Sequence, residues 1–248
     1  MSRSRRVIVG ALASLPALAW AQLPKLDELL KRAPAALPGG SGAQQAGTGE
    51  AGTDIAGIKE ALAKGTERAI ASLAARDGYF GNEAVRIGLP SSIRRAGDLA
   101  RAAGFQAQVD GFVLSMNRAA EAAVPLASEF FGDAIRQMTV DDARALLTGG
   151  DTAATEFFRG KTYDRLYDAF RPVVARQVES VGTTKAYKEM TSGLSRLPMA
   201  GDLSIDLDDY VTRKALDGLF LRVGEEERSI RQNPAARTTD LLKRVFGG

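Results

Sequence analysis

From Phe105 to Met138, apolar residues recur every three or four positions: Phe105, Val109, Phe112, Val113, Met116, Ala120, Ala123, Val124, Ala127, Phe130, Phe131, Ala134, Ile135 and Met138. This is the period of an α-helix buried along much of its surface, and a stripe of that length must be covered by other elements of comparable length. A helical bundle answers that demand. Pro125 falls inside the run, lacks an N–H, and presses on the carbonyl four residues back, at Glu121, so the helix is expected to kink or divide there.

The same period continues on both sides. Ile55, Ile58, Leu62, Ala69 and Leu73 share one stripe, with Glu60 and Lys64 spaced i,i+4 on its wet side. Thr139 with Asp142 is a helix-start signal, Gly149-Gly150 ends the short helix that follows, and Asp151 is placed to cap the next. Tyr163, Leu166, Tyr167, Phe170, Val173, Val174, Val178 and Val181 trace a further apolar face, interrupted at Pro172 and ended by Gly182. Asp208 or Asp209 can cap a helix carrying Val211, Ala215, Leu219 and Val223, with Glu227 and Arg231 paired in its exposed tail. Asn233-Pro234 stops that helix and starts a last one running to Phe246. Two segments instead alternate with period two, Val85-Ile87-Leu89 and Leu203-Ile205-Leu207, so that about 84–89 and 203–207 can pair as a ribbon or stay extended loop. The expected fold is all-α, a multi-helix bundle-like single domain with at most one small two-stranded β-ribbon.

Residues 1–21 have the anatomy of a signal peptide. Arg3, Arg5 and Arg6 precede an apolar stretch from Val7 to Leu18, and Ala19-Trp20-Ala21 offers a small-x-small cleavage site before Gln22. Ser4-Arg5-Arg6-Val7-Ile8-Val9 resembles a twin-arginine export signal, and the general secretory route fits as well. The apolar stretch is too short to span a bilayer and no later stretch qualifies, so a periplasmic, soluble protein without a transmembrane anchor is expected. Residues 22–54 read as one short helix, Leu26 to Arg32, and then a flexible tether of Ala, Pro, Gly, Gln and Thr from Ala33 to Asp54; the folded domain is expected over 55–248.

Charge and composition exclude several functions. Three of the 33 basic residues and none of the 30 acidic ones lie in residues 1–21, so the remainder is balanced at 30 of each. The long-range field that steers proteins to phosphate backbones is absent, so nucleic acid is not an expected partner, and without a basic amphipathic helix neither is a membrane surface. The chain has no Cys and no His. Disulfides, thiolate chemistry, Cys/His zinc sites, His-based triads and His-ligated haem are therefore excluded, leaving carboxylate, Lys, Tyr, Arg and Ser/Thr chemistry. No Gly-rich phosphate loop is present, and no cofactor or metal is expected.

The blocks Ser115-Met116-Asn117-Arg118-Ala119-Ala120-Glu121, Asp209 to Phe220 (DYVTRKALDGLF) and Asn233 to Asp240 (NPAARTTD) resemble a bacterial family of exported proteins defined only by a domain of unknown function, the 4197 family of that series. The resemblance covers roughly residues 55–246. It implies an exported helical domain and supplies no catalytic residue.

Two polar groups are candidate ligand-binding sites. Asn117, Arg118 and Glu121 gather on the long helix where Pro125 disturbs its backbone, although a surface or interhelical salt bridge beside an ordinary proline kink is the favoured account of them. Lys214 and Asp217, with Arg237, Thr238, Thr239 and Asp240 from the following helix, could hold a carboxylate or phosphate, or serve as caps and inter-helix bonds. Asp202, Asp206, Asp208 and Asp209 lack the Gly and the final Glu of a calcium loop. Glu179-Ser180 matches a pair found in helical peptidoglycan-cleaving enzymes, without the Gly- and aromatic-containing stretches that accompany it. The expected function is a non-enzymatic binding or interaction module whose partner is an unknown small ligand or envelope protein. The alternative is a carboxylate-dependent hydrolase or lyase acting on an envelope glycan or small molecule, with Glu121 or Glu179 as general acid.

Overall fold

A computed structural model describes residues 48–180 and 206–233. Among these residues seven α-helices follow one another: α1 (Thr48–Ala74), α2 (Ser91–Ala102), α3 (Gln106–Ala123), α4 (Ala127–Gln137), α5 (Val140–Thr148), α6 (Ala153–Ser180) and α7 (Leu207–Gln232). A single 3-10 turn, Val124–Leu126, joins α3 to α4, and the described residues contain no strand. None of their helices is long and apolar enough to cross a membrane.

The long apolar run has the form its sequence requires. Val124 still donates its N–H to Ala120, Pro125 occupies the 3-10 turn, and the helix resumes at Ala127. The two halves thus remain one bent element, and it is covered as expected. α6 and α7 make the most extensive pairing, α1 lies along α7 and α4, and α3 packs on both α6 and α7. Side chains from all of them meet in one core: Leu73, Phe112, Met116, Phe131, Phe158, Leu166, Phe170, Leu219 and Phe220 are buried together. The Phe131 ring lies 4.9 Å from Phe158 and 6.0 Å from Phe220, tying α4 to α6 and α7. Burying a ring of this size contributes roughly 1.5–3 kcal/mol.

Local signals account for most helix ends. Thr139 Oγ1 accepts from the Asp142 N–H at 3.1 Å while Asp142 accepts from the Thr139 N–H at 3.0 Å, a reciprocal capping box at the start of α5. Gly149 follows the last residue of α5, and α7 stops at Asn233.

Several expectations need correction. α1 reaches back to Thr48, so residues 48–54 belong to a helix and not to the tether; no Pro interrupts this stretch, and helix propagates readily once nucleated by the buried turns from Ile58 onward. Residues 84–89 are not a strand, although Val85, Ile87 and Leu89 are indeed buried in alternation. Their backbone is satisfied by a side chain in place of a second strand. Pro172 does not divide α6, because Phe170 and Val174 are locked into the core on either side of it and the proline faces outward. The cap of α7 is Asp206, whose Oδ1 accepts from the Asp209 N–H at 2.9 Å, and neither Asp208 nor Asp209 fills that role. Asp151 does not cap α6; it accepts from Gln232 Nε2 at 2.9 Å. The helices expected at 26–32 and 234–246, the stop at Gly182 and the ribbon residues 203–205 lie outside the described residues.

Candidate functional site

Asn117 and Glu121 stand one turn apart on α3 and face the segment that joins α1 to α2. Asn117 is fully buried, accepts from the Ile87 N–H at 2.9 Å, and donates through Nδ2 to the Ile87 carbonyl at 2.9 Å and the Val113 carbonyl at 2.7 Å. It presents to Ile87 the donor and acceptor that a neighbouring strand would supply. Glu121 Oε1 accepts from the N–H groups of Tyr79 at 3.1 Å and Phe80 at 3.4 Å, and its Oε2 pairs with Arg118 at 2.6 Å. Arg118 also reaches Asp77 at 2.7 Å, and these bonds, that to Glu121 foremost, raise its already high pKa. Asp77 adopts a φ of 65°, and a Cβ on Gly78 would lie 2.5 Å from the carbonyls of Ser72 and Leu73, so the chain turns off α1 through a corner that only glycine fits at 78. Here the polar atoms of the first candidate group are engaged in fastening residues 77–87.

The second group opens to solvent. Lys214 Nζ lies 3.6 Å from Asp217, both half exposed, on the face of α7 that looks toward residues 84–94. Between the two elements is a cleft of about 250 Å³, lined by Val85, Arg86, Leu89, Arg94, Tyr210, Lys214, Asp217 and Leu221 among others. Both walls are built by specific contacts. The buried Tyr79 hydroxyl donates to the Ala215 carbonyl at 2.6 Å, and Tyr210 donates to the Gly88 carbonyl at 3.0 Å. Burial above all, and then the nearby Glu121 charge, drives the Tyr79 pKa well up, so it stays a neutral donor. Burial also raises that of Tyr210, against the opposing field of Arg94. A Cβ at Gly218 would come within 2.7 Å of the Tyr79 ring, so the close approach of this segment to α7 depends on glycine there.

No motif in the sequence marks Arg86 or Arg94, nor the burial of Glu227 and its role at the start of α6. Glu227 reaches from α7 to the start of α6, accepting from the N–H groups of Ala154 and Thr155 at 2.9 Å each and from the Thr155 hydroxyl at 2.8 Å. It is an N-cap supplied from another helix, and Arg231 pairs with it at 2.9 Å, as the i,i+4 spacing suggests. Glu227 is buried and Arg231 half-buried, so this is not an exposed tail. Beside it an apolar crevice between α1, α5, α6 and α7 measures about 40 Å³, room for a few waters and not for a metabolite.

Glu179 is exposed near the end of α6, apart from Glu121 and the cleft. Arg237, Thr238, Thr239 and Asp240 lie outside the described residues. Among the described residues no three or more acidic side chains gather as a metal site would require. A search of curated proteins and of solved structures finds no match to this chain. The model of one family does match, over residues 50–247, and the chain therefore belongs to the family described as "Protein of unknown function (DUF4197)".

Proposed function

We propose that this protein is an exported, non-enzymatic helical module of the cell envelope that holds a small ligand in the cleft between α7 and residues 84–94. The observation that carries the reading is the contrast between its polar groups. Glu121 and Glu227, the buried carboxylates a hydrolase or lyase would use, are each taken up by backbone N–H groups and an arginine, whereas Arg86 and Arg94 line an open cleft with no carboxylate paired to either among the described residues. The cleft is concave and preformed, as ligand sites are, and its exposed lining is more polar than apolar. Export rests on residues 1–21, which have the charge, apolar length and cleavage pattern of a signal peptide.

Native mass spectrometry of protein purified from the envelope tests both halves. The expected result is a chain beginning at Gln22 with a co-purifying small molecule that is lost in a Lys214→Ala/Tyr210→Phe variant. An intact Met1 terminus would sink the location, and a clean apo mass together with no cleft amide shift on adding envelope extract would sink the binding function.

A further inference from the structure

The cleft has a sign. Its lining carries three cations, Arg86, Arg94 and Lys214, against the single carboxylate of Asp217, which Lys214 already approaches at 3.6 Å. Neither Arg86 nor Arg94 forms an ion pair among the described residues. This excess is local, because residues 22–248 as a whole are balanced at 30 basic and 30 acidic side chains. The Arg86 guanidinium lies over the Phe80 ring, 4.2 Å from its centre. Stacking occupies the face of a guanidinium and leaves its in-plane N–H groups for an oxyanion, which they meet as a two-pronged fork. The remaining wall is apolar: Val85 and Leu89 are buried in it, and Leu221 is 37% exposed.

We infer that the cleft takes a small organic anion, its carboxylate or phosphate held by Arg86 and Arg94 and its apolar part lying on Val85, Leu89 and Leu221. This rests on the cleft being the ligand site, and names the chemical class that site selects. Carboxylate and phosphate share the chemistry recognised here, and separate probes tell them apart.

Amide NMR of the full chain, titrated separately with benzoate, phenyl phosphate, inorganic phosphate and neutral benzyl alcohol, provides the test. Saturable shifts at Gly88, Arg94 and Gly218 are expected with benzoate or phenyl phosphate, at affinities roughly tenfold or more above benzyl alcohol and falling as salt is added. The stronger of the two identifies the anionic group. An Arg86→Gln/Arg94→Gln variant, both sites being exposed, is expected to keep its melting temperature and lose that binding. Equal binding of benzyl alcohol, or unchanged binding by the double variant, would overturn the anion class while leaving the cleft a ligand site. Inorganic phosphate binding as tightly as phenyl phosphate would remove the apolar half of the inference. If none of the four probes moves the cleft amides the inference fails, and the ligand site falls with it only if envelope extract moves none either.

Discussion

Glu121 is the residue on which the corner after α1 depends. Replacing it by Ala leaves the Tyr79 and Phe80 N–H groups without their acceptor and Arg118 without its closest partner. Arg118 is partly exposed and keeps Asp77, so the main cost is that of the stranded N–H groups, about 1–3 kcal/mol. Glu121→Ala should therefore lower the unfolding free energy measured in urea by that amount, and Glu121→Gln, which keeps one oxygen acceptor, by less; equal midpoints for wild type and Glu121→Ala would show that these bonds contribute nothing. Asp142 gives a prediction of a different kind. Hydrogen bonds from the Thr139 backbone and then its hydroxyl hold its pKa below the ordinary 3.8. With the folded value depressed, the unfolded chain binds more protons in acid, so this contribution is fully present above the ordinary value and disappears as pH falls through the folded one. In acid titrations of thermal stability Asp142→Asn should flatten part of the decline below about pH 4, with Thr139→Ala behaving alike. A decline unaltered in both would rule out the capping box as its source.

At the scale of elements, α6 is the helix least determined by its own sequence. Its first N–H groups are capped by Glu227, on α7 more than seventy positions away. Glu227→Ala should thus destabilise the fold by about 1–3 kcal/mol and raise amide exchange at Ala154 and Thr155 in particular; an increase spread evenly along α6 would argue against a local cap. Pro172 points the other way. It removes one hydrogen bond from an exposed position inside a continuous helix, so Pro172→Ala should raise the melting temperature, by up to about 3 kcal/mol in stability. Much of this was legible beforehand. The period from Phe105 to Met138, the break at Pro125, the Thr139/Asp142 cap and the stop at Asn233 all follow from side chains acting on their own backbone neighbours. What stayed hidden was non-local. The alternation of Val85, Ile87 and Leu89 is real, and nothing near it in the chain reveals that its partner is the amide of Asn117. Lys214 and Asp217 were legible as a pair, whereas Arg86 and Arg94 become part of a site only once α7 lies against them.

Across the whole molecule α3 and α7 hold opposite sides of one segment. Asn117 grips Ile87 from α3, and Tyr210 grips the adjacent Gly88 from α7; the Tyr79 hydroxyl fixes the start of the segment to Ala215. Val85, Arg86, Gly88 and Leu89, held from behind in this way, are the wall of the cleft. Asn117 is then a positioning residue for a site that it does not line. Asn117→Ala should cost about 1–3 kcal/mol from the unpaired Ile87 groups, speed exchange of the Ile87 amide beyond that of the α3 amides, and weaken cleft binding of benzoate or phenyl phosphate. Asn117→Asp keeps the acceptor for the Ile87 N–H but turns its other oxygen on the Ile87 and Val113 carbonyls and buries a charge there, so it should cost at least as much as Ala. The coupling is what the pair of measurements isolates. Faster Ile87 exchange with unaltered affinity would mean that the cleft wall stands without its anchor. Weakened binding with unaltered exchange would mean that Asn117 acts on the ligand by some other path. Only a joint change fits a cleft whose shape is set from the α3 side of the segment.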